Sequence, residues 1–569
     1  MAKIWKLKPQ ISLDIGKSLS GYPKLLAQLL YSRGLTEKDK IEEFLGSKYE
    51  GLHSPFLFLD MQKAVQRIWL AIERGEKICV YGDYDADAVT ANAVLRQTFK
   101  YLSAVAESYI PDRFTEGYGI NLEALSKIKN DGSTLIITVD CGTNSVDAAE
   151  WCGRNEIDLI ITDHHEIIGE KPKAFALINP KNIDDNYPYR EITGVGVAFK
   201  LACAILTSAK CKVQSAKYIQ GYEKLLLDLV AIGTVADCHS LLGENRTLVK
   251  YGLKVLAKTK WVGLKALLES CGIDLKQRPL DSYVLGFIIA PRLNAAGRLE
   301  HANIALDLLL TEDFEAAREQ ATALEKINKR RQDLTLRVVS EAKEQALLAS
   351  ERKILVLWAK DWPKGIVGLV AGKLAEEFNK PVIVLEKGES ESTGSARTAG
   401  KFNIIDALKN ASEYLLKFGG HSQAAGLNLK NEDFEQFYQK LLEFAEAQLP
   451  AENLGKILEA DAELAESDLG LDIYQMVSAL EPFGVDNKKP VFILKNASVN
   501  NFKFVGKGEK HMQLEVSIGN KNIKAIWFNA GNFAKNLKLS DTVNIAAELF
   551  LDSWNGRENL KLRIVDVEL

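Results

Sequence analysis

Residues 81–91 read YGDYDADAVTA and complete the apolar run ICVY (78–81), so Asp83, Asp85 and Asp87 stand at every second position directly after a strand-like segment. Extended backbone turns alternate side chains to one side, which would aim these carboxylates the same way. Like charges so arranged repel. Either water solvates them in an acidic turn, or a divalent cation neutralises them, and the rest of the chain has to decide between these.

Outward from this stretch, residues 75–240 alternate short apolar runs with helical patterns, the signature of a parallel sheet covered by helices. The runs are KICVY (77–81), STLIITV (133–139), IDLIIT (157–162) and LDLVAIGTVA (227–236), the last long enough to be a buried helix instead. Each is followed by an acid: the Asp83 group, Asp140, Asp163 and Asp237. Strand carboxyl ends in an open parallel sheet line one crevice, so these acids are expected to converge.

The 569 residues exceed what one core accommodates. Residues 311–350 contain no Gly or Pro and are rich in Ala, Leu, Glu, Lys and Arg, which predicts one or two long connecting helices. A second α/β region follows, with strands KILVLW (353–358) and KPVIVLE (380–386) and the glycine-rich segments TGSARTAG (393–400) and KFGGHSQAAG (417–426). From about 455 onward HMQLEVSI, NIKAIWF and the segment around Asn555-Gly556 alternate with turn signals, the last pair favouring a tight hairpin. A small closed β-barrel of OB type and a β-sandwich both fit that pattern.

With 47% hydrophobic residues and a formal net charge of −4, the chain is globular, and any nucleic-acid surface on it must be a local basic patch. The seven cysteines include no CxxC pair, which fits reduced thiols in a cytoplasmic protein. MAKIWKLKPQ has no apolar leader region, and no stretch reaches the roughly 18 apolar residues of a membrane span, so neither secretion nor a membrane is expected.

IITDHHEIIGE (160–170) sets His164 and His165 beside Asp163 at the end of an apolar run, in a chain with only seven histidines. A lone His there is most often a hydrogen-bonded core residue. Several converging carboxylates change that, because carboxylates with an imidazole suit Mn²⁺, and the lack of clustered cysteine argues against structural zinc. FGGHSQAAG (418–426) reads either as a turn that needs small residues for packing or as glycines at a helix start, whose amides favour an anion. Lys503, Lys507, Lys510, Lys521 and Lys524 are interspersed with Phe502, Phe504, Trp527 and Phe528, a mixture suited to single strands. Alternation assigns some of these aromatics to the core, with Trp527 or Phe528 among them.

YGDYDADAVTA, TVDCGTNS (138–145), TDHH (162–165) and GTVADCHSLLGENR (233–246), in this order, resemble the phosphoesterase motifs of the DHH family. IPDRFTEGYGI (110–120), TGVGVAFK (193–200), PRLNAAGRL (291–299), FGGHSQAAG and LEPFGVDN (480–487) resemble its RecJ branch of single-stranded-DNA-specific 5′→3′ exonucleases. The resemblance implies an α/β fold: an N-terminal segment (1–50), a parallel-sheet DHH domain (51–305), a connecting helix (306–350), a smaller α/β DHHA1 domain (351–454) and an OB-type barrel (455–569). It implies Asp85, Asp87, Asp140, His164 and Asp237 as ligands of two ions, Mn²⁺ or Mg²⁺, with Asp140 bridging. His165 would face the scissile phosphate, with Asp83 and Asp163 supporting the ligands. Arg113, Arg298, Ser395, Arg397, Gly419, Gly420 and His421 would contact terminal phosphate and backbone, although Glu116 and Glu300 offer Arg113 and Arg298 structural ion pairs.

The activity so implied is hydrolysis of single-stranded DNA to 5′-mononucleotides in repair and recombination, by a cytoplasmic monomer working beside a helicase and a single-strand-binding protein. The alternatives are a phosphodiesterase of short oligonucleotides or cyclic dinucleotides, for which the barrel is superfluous, and a catalytically silent DNA-binding scaffold, which would be expected to lose ligands. Four positions depart from the family: Ala88 and Pro363 stand where glycine and histidine are usual, and His239-Ser240 replaces an apolar residue and proline.

Overall fold

Five parallel strands explain why the acids fall where they do: β1 (Lys77–Gly82), β2 (Ala106–Tyr109), β3 (Ser133–Val139), β4 (Asp158–Thr162) and β5 (Ala176–Ile178). Their spatial order is β2-β1-β3-β4-β5. Strand order reverses between β1 and β3, and the crevice outside the carboxyl ends at such a point is where ligands bind in open α/β sheets. Ile78, Val80, Leu135 and Ile137 bury one face, while Cys79, Tyr81, Ile136 and Ile161 bury the other against separate helices. Burial on both faces is why these strands read as unbroken apolar runs. The computed structural model describes residues 3–12, 18–117, 119–212, 221–275, 280–398, 400, 402–449, 456–506, 508–531, 537–554 and 557–568.

Helices α1 (Ala86–Tyr101) and α2 (Gly194–Lys212) pack on this sheet, and α3 (Leu227–Ala236) packs against α1 and α2. The fourth apolar run is therefore the buried helix α3 rather than a strand, and Asp237 sits at its C-terminal end. Helix α4 (Phe314–Leu348) is a single connecting rod of 35 residues, beginning later than position 306 because Asn303–Leu310 forms a separate helix packed in the first core.

The second sheet combines β6 (Leu355–Ala359), β7 (Val382–Lys387), β8 (Glu391–Arg397), β9 (Lys417–Gly420) and β10 (Ala424–Lys430), with α5 (Val367–Phe378) between β6 and β7. Its order is β9-β10-β8-β7-β6, and only β6 and β7 are parallel. FGGHSQAAG forms the β9–β10 hairpin here, with Gly419 opposite Gly426 and Gly420 opposite Ala425. The expectation of a helix start with free amides is thus corrected. Gly420 has φ +144°, and a Cβ there would meet Ala424 O at 2.3 Å, so the hairpin itself requires glycine.

At the C-terminal end, β11 (Phe492–Val505), β12 (His511–Ile518), β13 (Lys521–Trp527), β14 (Thr542–Trp554) and β15 (Arg557–Glu568) run in the order β11-β12-β13-β15-β14, and β14 pairs back onto β11. The sheet closes, with β13 and β15 parallel, which is the five-stranded Greek-key barrel and excludes a sandwich. The hairpin assigned to Asn555-Gly556 and the contact assigned to Lys507 lie outside the described residues.

The N-terminal segment belongs physically to this barrel. Leu19, Leu29, Leu30, Ile41 and Phe44 enter the barrel core, and Ile4–Leu7 pairs with Ile457–Ala460. Arg246 locks the first domain to both: it is 1% exposed and donates to Phe44 O, Ser47 Oγ and Leu480 O. Within LEPFGVDN, the Val485 carbonyl accepts from Leu241 N at 2.9 Å, four residues past Asp237, so the barrel side steadies the acid at the end of α3.

Candidate active site

The crevice gathers the acids as the strand order requires. Asp85 caps α1, its Oδ1 accepting from Asp87 N at 2.9 Å and Ala88 N at 3.1 Å. Asp87 is buried with both oxygens on the N-terminus of α2, accepting from Gly194 N at 2.8 Å and Val195 N at 2.9 Å. That approach needs glycine, since a Cβ on Gly194 would lie 2.6 Å from Asp140 Cβ. Ala88 falls inside α1, where alanine is at ease, so the glycine usual at this position is not required for backbone geometry.

Asp140 follows β3 in a left-handed conformation, φ +58°, a strained choice for a residue with a side chain. Its Oδ1 lies 3.0 Å from His164 Nε2, and Asp237 Oδ2 is 3.7 Å from the same nitrogen. Among the described residues, Asp83 Oδ1, Asp140 Oδ1, Asp237 Oδ2 and both ring nitrogens of His164 are buried without a hydrogen-bond partner. Asp163 differs: it accepts from Thr143 N, His164 N and His165 Nδ1 at 2.9, 2.7 and 2.7 Å, so it positions the histidines.

Electrostatics separates these acids. Burial and neighbouring carboxylates push Asp83, Asp140 and Asp237 well above the usual carboxylate range, and burial with Asp85 raises Asp87 to about 7. Burial alone would raise Asp163 too, but its bond from His165 and the surrounding amides hold it far below. Burial opposes charge on His165, yet the bond to Asp163 lifts its pKa above the ordinary value, while burial keeps His164 neutral. Orphaned oxygens that would otherwise bind protons, beside a neutral imidazole and with no thiolate, form a donor set that fits Mn²⁺ or Mg²⁺.

A pole of opposite sign faces this cluster. Burial and then Arg113, Arg331 and Arg397 lower Arg298 to about 10, while Asp85 pulls the other way, so these guanidiniums converge within reach of the acids. Arg298 is half-buried and donates to Gly365 O at 3.2 Å, closing the first domain onto the second. The structural ion pairs considered for Arg113 and Arg298 do not form: Glu116 engages Tyr109 and Lys127, and Glu300 lies 3.9 Å from Arg330. Arg113 instead lies over the Tyr84 ring. Arg397 donates to Ser395 Oγ at 2.7 Å, and a Cβ on Gly368 would stand 3.1 Å from both side chains, so the first turn of α5 covers them. His421 is exposed at the tip of the β9–β10 hairpin, and Gly419 and Gly420 serve that turn.

Sequence reasoning missed Arg331 and gave His239 no role in the site. Arg331 comes from α4, and its Nε is buried without a partner. In the run EKINKRRQ only burial distinguishes it from its solvated neighbours, and sequence carries no mark of that. His239 lies 3.3 Å from Asp237 Oδ2, and its signal was a donor residue two positions past a candidate ligand.

Fold and site together define a metal-dependent phosphoesterase. Residues 77–234 match the DHH family, N-terminal domain, residues 351–460 the DHHA1 domain, and residues 460–566 the RecJ OB domain. The single-stranded-DNA-specific exonuclease RecJ of Bacillus subtilis is 37% identical over 95% of this chain and 67% of its own length. That of Salmonella typhimurium is 32% identical over 96% of each chain. The crystal structure of RecJ in complex with Mn²⁺ from Thermus thermophilus superimposes with a TM-score of 0.82 at 27% identity, covering 100% of this chain and 79% of that one. The chain belongs to the RecJ family.

Proposed function

We propose that this protein is an exonuclease that degrades single-stranded DNA from the 5′ end, releasing 5′-mononucleotides. The observation that carries the reading is the pairing of poles: buried acids with unused oxygens on one wall of the cleft, and Arg113, Arg298, Arg331 and Arg397 converging from the first domain, the connecting helix and the second domain. Acids that hold cations activate one phosphodiester; guanidiniums hold a neighbouring phosphate and fix the distance to the cut.

Asp85, Asp87, Asp140, His164 and Asp237 would hold two divalent ions, which when bound supply an activated water and charge stabilisation for the leaving oxygen. Asp163 orients His165 through Nδ1 and favours its protonated form, so that the ring would face a non-bridging phosphate oxygen. Asp83 supports the turn of the first motif, which Asn294 also holds by accepting from Ala86 N at 2.8 Å. Arg397 with Ser395, and His421 at the hairpin tip, would receive the terminal phosphate. No covalent enzyme intermediate is involved.

The barrel would guide the strand further out. Lys503, Lys510, Lys521 and Lys524 are exposed. Phe528 is 45% exposed and flanked by Arg563 and His511, whereas Trp527 is buried at 7%, so Phe528 is the base-stacking candidate of that pair. A monomer in the cytoplasm, fed by a helicase and a single-strand-binding protein, completes the reading. All five carboxylate and imidazole positions expected as ligands are retained, which favours it over a silent scaffold.

The test is to incubate purified protein with linear single strands, blunt duplexes and dinucleotides, in Mn²⁺ and in chelator. Rapid loss of single strands only, and only with metal, is expected. Faster cleavage of dinucleotides than of long strands, or no cleavage under any condition, would overturn the proposal.

A further inference from the structure

We infer that His239 is an additional metal ligand of this chain, so that the cation beside Asp237 meets two imidazoles, His164 and His239. The inference rests on the two-ion reading above. Asp237 ends α3, and Cys238 next to it takes φ +57°, a left-handed turn that brings the following side chain back over the crevice. His239 Nε2 then stands 3.3 Å from Asp237 Oδ2, while His164 Nε2 lies 3.7 Å from that same oxygen. The two rings meet edge to face with centroids 4.9 Å apart, and one donor atom from each of the three residues falls within 4.8 Å of the others.

Two further observations point to a cation rather than to mutual hydrogen bonding. Asp237 Oδ2 and both nitrogens of His164 are buried without a hydrogen-bond partner. On its far side His239 presents Nδ1 to Glu191 Oε2 at 3.7 Å. At 3.7 Å this carboxylate is beyond direct hydrogen-bond reach, but its charge favours a proton on Nδ1, which leaves Nε2 as the donor on the side of the cluster.

The consequence is selectivity. Mg²⁺ prefers oxygen donors in a strict octahedron, whereas imidazole nitrogens favour Mn²⁺ and the later first-row ions. A second imidazole therefore tilts this position from Mg²⁺ toward Mn²⁺. The competing account makes His239 a mere prop for the His164 ring, adding no nitrogen to the metal.

The experiment uses the full chain stripped of metal and reloaded with Mn²⁺, as wild type, His239→Val and His239→Gln. Pulsed EPR counts imidazole nitrogens on the bound ion, and calorimetry gives Mn²⁺ and Mg²⁺ affinities. Two imidazoles are expected in the wild type and one in each variant, with Mn²⁺ affinity down about tenfold or more and Mg²⁺ affinity changed by less than about twofold. His239→Gln retains a polar group of similar reach, so the nitrogen count stays readable if the valine variant folds poorly. A wild type that binds Mn²⁺ through one imidazole overturns the role of His239 and leaves the two-ion reading standing. A wild type that binds no Mn²⁺ removes both.

Discussion

The acid pole is mostly buried and the arginine pole half-buried; both are crowded with like charge, and they are built in opposite ways. Every acid belongs to the first domain, ending β1, β3, β4 or α3 or opening α1, so one domain can assemble the cluster alone. The guanidiniums come from the first domain, the connecting helix and the second domain, and Arg298 reaches Gly365 across the junction. The acid pole is thus a property of a fold, and the arginine pole a property of how folds are joined. Chemistry placed on the first and end recognition on the second would let the joint set where the strand is cut.

The largest effect should come from the acid pole. Asp140→Asn is expected to lower hydrolysis on the order of a thousandfold or more while leaving the fold intact, measured as initial rate in saturating Mn²⁺. Retention of a tenth of the wild-type rate would remove Asp140 from the site. The arginine pole should show a milder and more selective loss. Replacing Arg397 or Arg331 by Ala removes a charge-assisted contact worth about 1.5–3 kcal/mol, which is roughly ten- to hundredfold in kcat/KM. The loss should be larger on 5′-phosphorylated strands than on 5′-hydroxyl strands, and equal losses on both would separate this pole from end recognition. Arg397→Lys should restore little, because an ammonium does not reproduce the planar fork.

A third comparison uses pH. Asp87, raised to about 7, and Asp140 and Asp237, raised by burial and the neighbouring carboxylates, have folded values above their unfolded ones. Such groups stabilise the metal-free fold below the unfolded carboxylate range, and that contribution is lost as pH rises through the folded values. The melting temperature of chelator-treated wild type should therefore fall relative to Asp140→Asn between pH 5 and 8, with the gap widening upward. Mn²⁺ at about 100 times its Kd should return roughly 2.7 kcal/mol to the wild type. A gap that narrows with pH would contradict the account of the crowded acids.

Smaller effects belong to the barrel and to α1. Phe528→Ala should weaken binding of long single strands by about 1–3 kcal/mol and leave short oligonucleotides nearly unaffected, as read by salt-dependent titrations of both. Trp527→Ala, by contrast, should lower the melting temperature. Ala88→Gly should cost up to about 1 kcal/mol of stability and gain no activity, since the position is helical. A gain in rate would show that the family's glycine serves something other than backbone geometry.

The two poles were unequally legible in the sequence. Apolar runs ending in Asp83, Asp140 and Asp163 announced a parallel sheet and its crevice, because burial on both faces leaves no polar alternation to confuse the reading. The run before Asp237 admitted helix or strand, and packing alone made it α3. The closed barrel was open as well, since the β14–β11 pairing is a long-range fact that local alternation cannot encode. Arg113, Arg298 and Arg397 were reached only through family resemblance, and Arg331 not at all, because a guanidinium becomes part of a site only when distant segments bury it. The glycines of FGGHSQAAG were legible as close approach but not as a hairpin, for a turn into a helix needs the same residue.

The most direct measurement takes one 5′-phosphorylated single strand, labelled at either end, and follows its products in Mn²⁺ from the earliest times. If the arginine pole holds the terminal phosphate and the acid pole cuts beside it, the 5′ label appears at once as mononucleotide. The 3′ label meanwhile remains on long fragments that shorten progressively. Early mononucleotide from the 3′ label, or cutting of a circular single strand, would contradict the pairing of the two poles.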